Sequence, residues 1–173
     1  MNLKMKYILG LVVCLLISAG SINAQKFGYV DSNAILESMP KVKEAESNLD
    51  ALNKQLQAKG QKMMEDFQAK YEELQRKVQA GEITPKDQDA QSAALEEQRG
   101  KIVQFDQDMQ NQMQQKRDTL LAPILAEVRN AITSVAKDNG YTYVFDGSPG
   151  IGVLLYADET TNLTAQVRAK LGL

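Results

Sequence analysis

Gly81-Glu82-Ile83-Thr84-Pro85-Lys86-Asp87 separates two long helical patterns, and its reading decides the fold. Gly81 suits the left-handed residue that closes a helix. Thr84 is a natural N-cap, Pro85 a natural first helical residue, and Asp87 occupies the N3 position of a capping box. The chain therefore turns sharply here and starts a second helix.

Upstream, from Lys41 to about Ala80, there is no proline, and Gly60 is the only glycine. Leu49, Leu52, Leu56, Met63, Phe67, Leu74 and Val78 recur at helical spacing and form one apolar seam. At 1.5 Å per residue this helix reaches roughly 60 Å. Downstream, a helix from Pro85 toward Asn139 carries Ala94, Leu95, Ile102, Phe105, Met109 and Met113 on its seam. With the turn centred between Glu82 and Ile83, Met63 faces Ile102, Leu56 faces Met109, and Leu52 faces Met113. Three apolar pairs in one register predict an antiparallel coiled-coil hairpin. The alternative, a compact bundle, calls for a wider apolar stripe than this narrow seam.

Near Thr119 the pattern changes. Leu120, Leu121, Ile124, Leu125, Val128, Ile132 and Val135 form a dense apolar face that belongs in a core, and Pro123 is expected to kink the helix there. Asn139-Gly140 ends it. The flanking segments read as short strands: Phe27-Gly28-Tyr29-Val30, Tyr141 to Phe145, and Ile151 to Tyr156, the last two separated by the turn Asp146-Gly147-Ser148-Pro149-Gly150. Asp31, Ser32 and Asn33 open a brief helix over Ala34 to Met39, and Pro40 either stops it or opens the next helix at the first helical position. Asn162 caps a last helix with Leu163, Val167 and Leu171 on one face. The expected fold class is α+β: a long helical hairpin (41–119) projecting from a small β-strand body (25–40 and 120–173), with a short C-terminal helix.

Residues 1–24 read as a secretory signal. Lys4 and Lys6 precede an apolar run from Tyr7 to Ile17, and small residues lead to a cleavage expected after Ala24. The alternative is a retained membrane anchor, against which the run is short for a membrane span. Cys14, the only cysteine, lies inside it, so the mature chain forms no disulfide. The mature chain has 18 basic and 22 acidic side chains, a net charge of −4 with no basic block. That argues against nucleic acid. There is no His, and no Gly-rich phosphate loop or nucleophile elbow occurs. Carboxylate pairs such as Glu72-Glu73 and Glu96-Glu97 sit on helices, where adjacent side chains diverge. The reading is a holding or bridging protein without catalytic residues, metal or cofactor.

Six of the nine mature aromatic residues fall in the strand segments. A core built from three short strands is small and leaves edges that invite pairing. Phe27, Tyr29, Tyr141, Tyr143, Phe145, Val153 and Leu155 are therefore candidates for an interface between copies. A monomer whose last helix covers the sheet is the other possibility. On the arm, Met64 and Tyr71 lie beside the seam and are candidates for contact with a client chain, whereas Met63, Phe67, Met109 and Met113 read as seam packing.

Phe27-Gly28-Tyr29-Val30-Asp31-Ser32 with Ile35-Leu36-Glu37-Ser38-Met39-Pro40 resembles the mature start of Skp/OmpH-family periplasmic chaperones. Tyr143-Val144-Phe145-Asp146, Val153-Leu154-Leu155-Tyr156-Ala157-Asp158 and Asn162-Leu163-Thr164 with Val167 are similar to that family's end. The resemblance covers nearly the whole mature chain. It implies a homotrimer with a pooled β-body and three projecting arms, which holds unfolded outer-membrane proteins in the periplasm without nucleotide. One departure concerns charge. Residues 61–100 carry six Lys or Arg against nine Asp or Glu, which argues against a lipopolysaccharide or anionic-membrane site. A rival reading is a structural coiled-coil spacer or adaptor of the cell envelope, whose expected mark is an apolar tip. The tip offers only Ile83.

Overall fold

The computed structural model describes residues 25–173; the signal reading over 1–24, including Cys14, lies outside them. The element order is β1 (Phe27–Val30), α1 (Ser32–Ser38), α2 (Pro40–Ala80), α3 (Pro85–Asp138), β2 (Tyr143–Asp146), a 3-10 turn (Glu159–Thr161) and α4 (Thr164–Leu171). Among the described residues no helix is long and apolar enough to cross a membrane.

The helix ends follow from local chemistry. Asp31 caps α1 by accepting from the Ala34 N–H at 2.9 Å. Pro40 begins α2, and Gly81 closes it at φ 67°, with the Glu82 N–H returning to the Lys77 carbonyl at 2.9 Å. Thr84 caps α3 by accepting from the Asp87 N–H, and Pro85 is its first residue. Gly140, at φ 69°, ends α3 in the same manner as Gly81 ends α2. The helix α3 is continuous across Pro123.

The helices α2 and α3 pack antiparallel. Lys41 pairs with Glu127 near the base, Lys70 donates to Gln98 further out, and Arg76 pairs with Glu82 at the tip. Midway, Gly60 meets the Phe105 ring, in the register expected from a turn between Glu82 and Ile83. Leu56, Leu74, Leu95 and Phe105 are the buried seam residues; Met63, Ile102, Met109 and Met113 are half-buried.

The core lies at the base. Val30, Ile35, Met39, Ala45, Ile124, Val128, Ala131, Val135, Leu163 and Val167 form one buried cluster. Leu163, the N-cap of α4, and Val167 within it are fully enclosed, with Leu171 packed beside them. Burying each such side chain stabilises by about 1.5–3 kcal/mol.

Two sequence expectations are corrected. The second strand spans Tyr143–Asp146 instead of Tyr141 to Phe145, because Tyr141 leaves the α3 terminus and folds over Gly28. The segment Ile151–Tyr156 is not a strand. Gly150 and Gly152 adopt positive φ (89° and 70°), which breaks an extended run, and among the described residues no strand pairs with it. The sheet therefore has two strands, β1 and β2, which run parallel in the register Phe27↔Tyr143 to Val30↔Asp146. The whole hairpin forms the crossover between them.

Candidate oligomer face and client-contact arm

The parallel register places Phe27, Tyr143 and Phe145 on the outer face of the sheet. The Phe27 ring stacks on Tyr143 at 5.6 Å and on Phe145 at 6.2 Å. All three are exposed. On the inner face, Val30 enters the core and Gly28 admits Tyr141 and Leu163. A Cβ at Gly28 would stand 2.9 Å from the Tyr141 ring and 3.0 Å from Leu163. Tyr141 is thus used within the chain, and Lys26 covers its ring at 4.0 Å. Tyr29 is half-buried; its carbonyl accepts from Leu163 at 2.8 Å, and it bridges to Asn162 on the side away from β2. Desolvation, with the nearby Glu159 carboxylate adding to it, raises the Tyr29 phenol pKa above its ordinary value.

Val153 and Leu155 lie in the irregular segment after β2. Leu155 is 100% exposed and its neighbour Tyr156 85%. The structure thus brings Phe27, Tyr143 and Phe145 together in one aromatic patch, leaves Val153 and Leu155 open to solvent, and turns Tyr141 inward.

A polar clamp that sequence reading took only as a turn fixes the end of β2. Asp146 accepts from the hydroxyls of Ser32 and Ser148 and from the Ser148 N–H at 3.0 Å. Ser148, 3% exposed, accepts in turn from the Asn33 N–H at 3.1 Å. These bonds join the start of α1 to the turn after β2. Burial is the largest single influence on Asp146 and opposes its charge, but the hydrogen bonds from Ser148 and Ser32 outweigh it and hold its pKa below the usual carboxylate value. The available signal was the Asp146-Gly147-Ser148 spacing, since Asp and Ser bond to backbone two residues on.

On the arm, Met64 and Tyr71 are exposed. Tyr71 stacks on Phe67, which is half-buried against the seam. At the junction of arm and base, Leu36, Val42, Leu49, Leu121 and Leu125 line a groove of about 380 Å³ with Arg117 at its edge. At the tip, Ile83 is half-buried. No group of three or more His, Cys, Asp or Glu side chains among the described residues is placed to hold a metal ion.

A small sheet joined by a long antiparallel helical hairpin is the arrangement of a known family. The chain matches the OmpH-like outer membrane protein family over residues 26–171, and it belongs to that family. It is 27% identical over 155 residues to the chaperone protein Skp of Yersinia enterocolitica, covering 88% of this chain and 89% of the relative. It is 28% identical over 159 residues to the chaperone protein Skp of Photorhabdus luminescens, covering 90% of each. A crystal structure described as an OmpH-like outer membrane chaperone from Caulobacter crescentus superposes with a TM-score of 0.72 at 16% identity. The match spans 86% of this chain and 84% of that one, and it shares the fold.

Proposed function

We propose that this chain is a periplasmic, ATP-independent holdase chaperone that binds unfolded outer-membrane proteins and prevents their aggregation. Export by the segment 1–24, with cleavage after Ala24, delivers it there. Three mature chains assemble through the sheet faces around Phe27, Tyr143 and Phe145, joined by Val153 and Leu155, and Tyr29 lines the same sheet. The three hairpins then enclose a space in which Met64 and Tyr71 contact the client. Holding needs no reaction step: many weak apolar contacts add through high effective concentration.

The observation that carries this reading is the division of exposed apolar surface within one chain. One part is a stacked aromatic patch on the base, of the kind that a symmetric partner covers. The other is apolar side chains spaced along an arm built from two helices. Family membership and the Skp relatives support the same activity.

The test is suppression of aggregation. A β-barrel membrane protein is diluted from urea into buffer with and without the mature protein, and light scattering is followed. Suppression at stoichiometric amounts is expected. Unchanged scattering would favour the spacer reading instead.

A further inference from the structure

The arm helix α2 has two chemically different flanks. Gln61, Met64, Gln68, Tyr71 and Gln75 recur at alternating steps of three and four on one face beside the seam, and Val78, the last residue of the seam, continues the series where that face meets it. All six are exposed, the three apolar members at 52%, 47% and 38%. None is charged. The flank on the other side of the seam carries Lys59, Lys62, Asp66, Glu73 and Arg76.

The stripe itself is uncharged and alternates a carboxamide with an apolar side chain, while the carboxylates of Glu65 and Glu72 border it on the side away from the seam. Gln61 donates to Glu65 at 2.9 Å, and Gln68 to Glu72 at 3.0 Å. These bonds orient the two amides along the helix and use one N–H of each. Every carboxamide keeps a further donor and acceptor. A peptide group offers the same pair of functions. Seven residues of helix rise about 10.5 Å, which matches about three residues of extended chain at 3.3 Å each.

We infer that this stripe binds an extended, unfolded polypeptide segment through its backbone amides and apolar side chains, without reading its charge. The inference rests on the holdase reading and specifies where and how the client is held. Residues 61–78 accommodate roughly eight residues of extended chain. A second copy of the arm is a poorer occupant. A helix-to-helix seam wants apolar residues every three and four positions, whereas here they come only every seventh, with Gln between.

The chain contains no Trp, so the Trp fluorescence of a urea-unfolded β-barrel client reports binding to the mature protein directly. Three variants are compared: Q61E/Q68E/Q75E, M64Q/Y71Q/V78Q, and K59Q/K62Q/R76Q on the charged flank. The first and third each lower the net charge by three. Circular dichroism checks that each variant keeps its helix content. The stripe variants are expected to bind about tenfold more weakly and the charged-flank variant within about twofold of the parent. Wild-type affinity should change less than about threefold between 50 and 500 mM NaCl, since exposed charges are screened over that range. Equal losses in the Gln→Glu and charged-flank variants, or stripe variants that bind like the parent, would overturn the inference. So would a changed oligomer mass in the stripe variants, which would make the stripe an interface between copies. A parent protein that neither binds nor suppresses aggregation would instead remove the holdase reading, and the inference with it.

Discussion

Gly60 of α2 stands directly against Phe105 of α3: a Cβ at position 60 would lie 3.2 Å from Cε1 of that ring. Lys59 lies over the same ring at 5.1 Å. Phe105 is buried, so a glycine in mid-helix, which costs about 1 kcal/mol relative to alanine, makes room for the largest buried side chain of the seam. Gly60→Ala should therefore be close to neutral, the gain in helix propensity offsetting the tighter contact. Gly60→Val should destabilise by about 1–3 kcal/mol by forcing the helices apart. Urea unfolding of the two variants checks this. Equal stability of both would show that the contact does not set the helix spacing.

Gly28 presents a tighter case at the base. Tyr141 and Leu163 both occupy the space where its side chain would be. Neither can withdraw freely, because Leu163 is fully buried and Tyr141 packs against the core. Gly28→Ala should cost about 1–3 kcal/mol, read as a lower urea midpoint with unchanged slope.

The contrast between arm and base shows what is legible in a sequence. The turn at Gly81 to Asp87 and the register that brings Gly60 to Phe105 follow from capping and spacing, which are properties of neighbouring residues. The core residues Leu163 and Val167 follow from the same periodicity. Parallel pairing of Phe27 with Tyr143 does not, since it joins segments more than a hundred residues apart. Ile151 to Tyr156 has the composition of a strand, but a strand also needs a neighbouring backbone, and glycines at positive φ bend this run away from one. Among the candidate interface residues, the sequence named Phe27, Tyr143 and Phe145, which form one exposed aromatic patch. It could not separate Tyr141, which faces inward, from Tyr143, which faces out, because that depends on where α3 ends relative to β2.

The Asp146 clamp predicts a pH dependence. Its folded-state pKa is depressed, so its contribution is fully present above the unfolded value near 3.8 and is lost as pH falls through the lower folded value. Asp146→Asn replaces an acceptor oxygen with a donor facing two hydroxyls and should cost about 1–3 kcal/mol at pH 7. The difference in stability between parent and variant should shrink below about pH 4. Thermal melts at pH 7, 5, 4 and 3 check it. A gap that stays constant down to pH 3 would mean that the carboxylate is not the stabilising species.

Phe145 tests the aromatic patch. It is exposed within one chain, so Phe145→Asp should leave the helix content intact. It should nevertheless reduce the oligomer mass, because a carboxylate buried between apolar faces is costly. Thr142→Asp, at an exposed position just before β2, serves as the control and should keep the parent mass. Identical masses for parent and Phe145→Asp would place the interface elsewhere.

The central claim is that three hairpins on one shared base hold an unfolded chain between them. Light scattering coupled to size exclusion, run on the mature protein alone and with a urea-diluted β-barrel client, tests it most directly. The account predicts about three times the mature mass without client, and that mass plus one client chain with it. A single mature mass, with the client lost to aggregates, would contradict it.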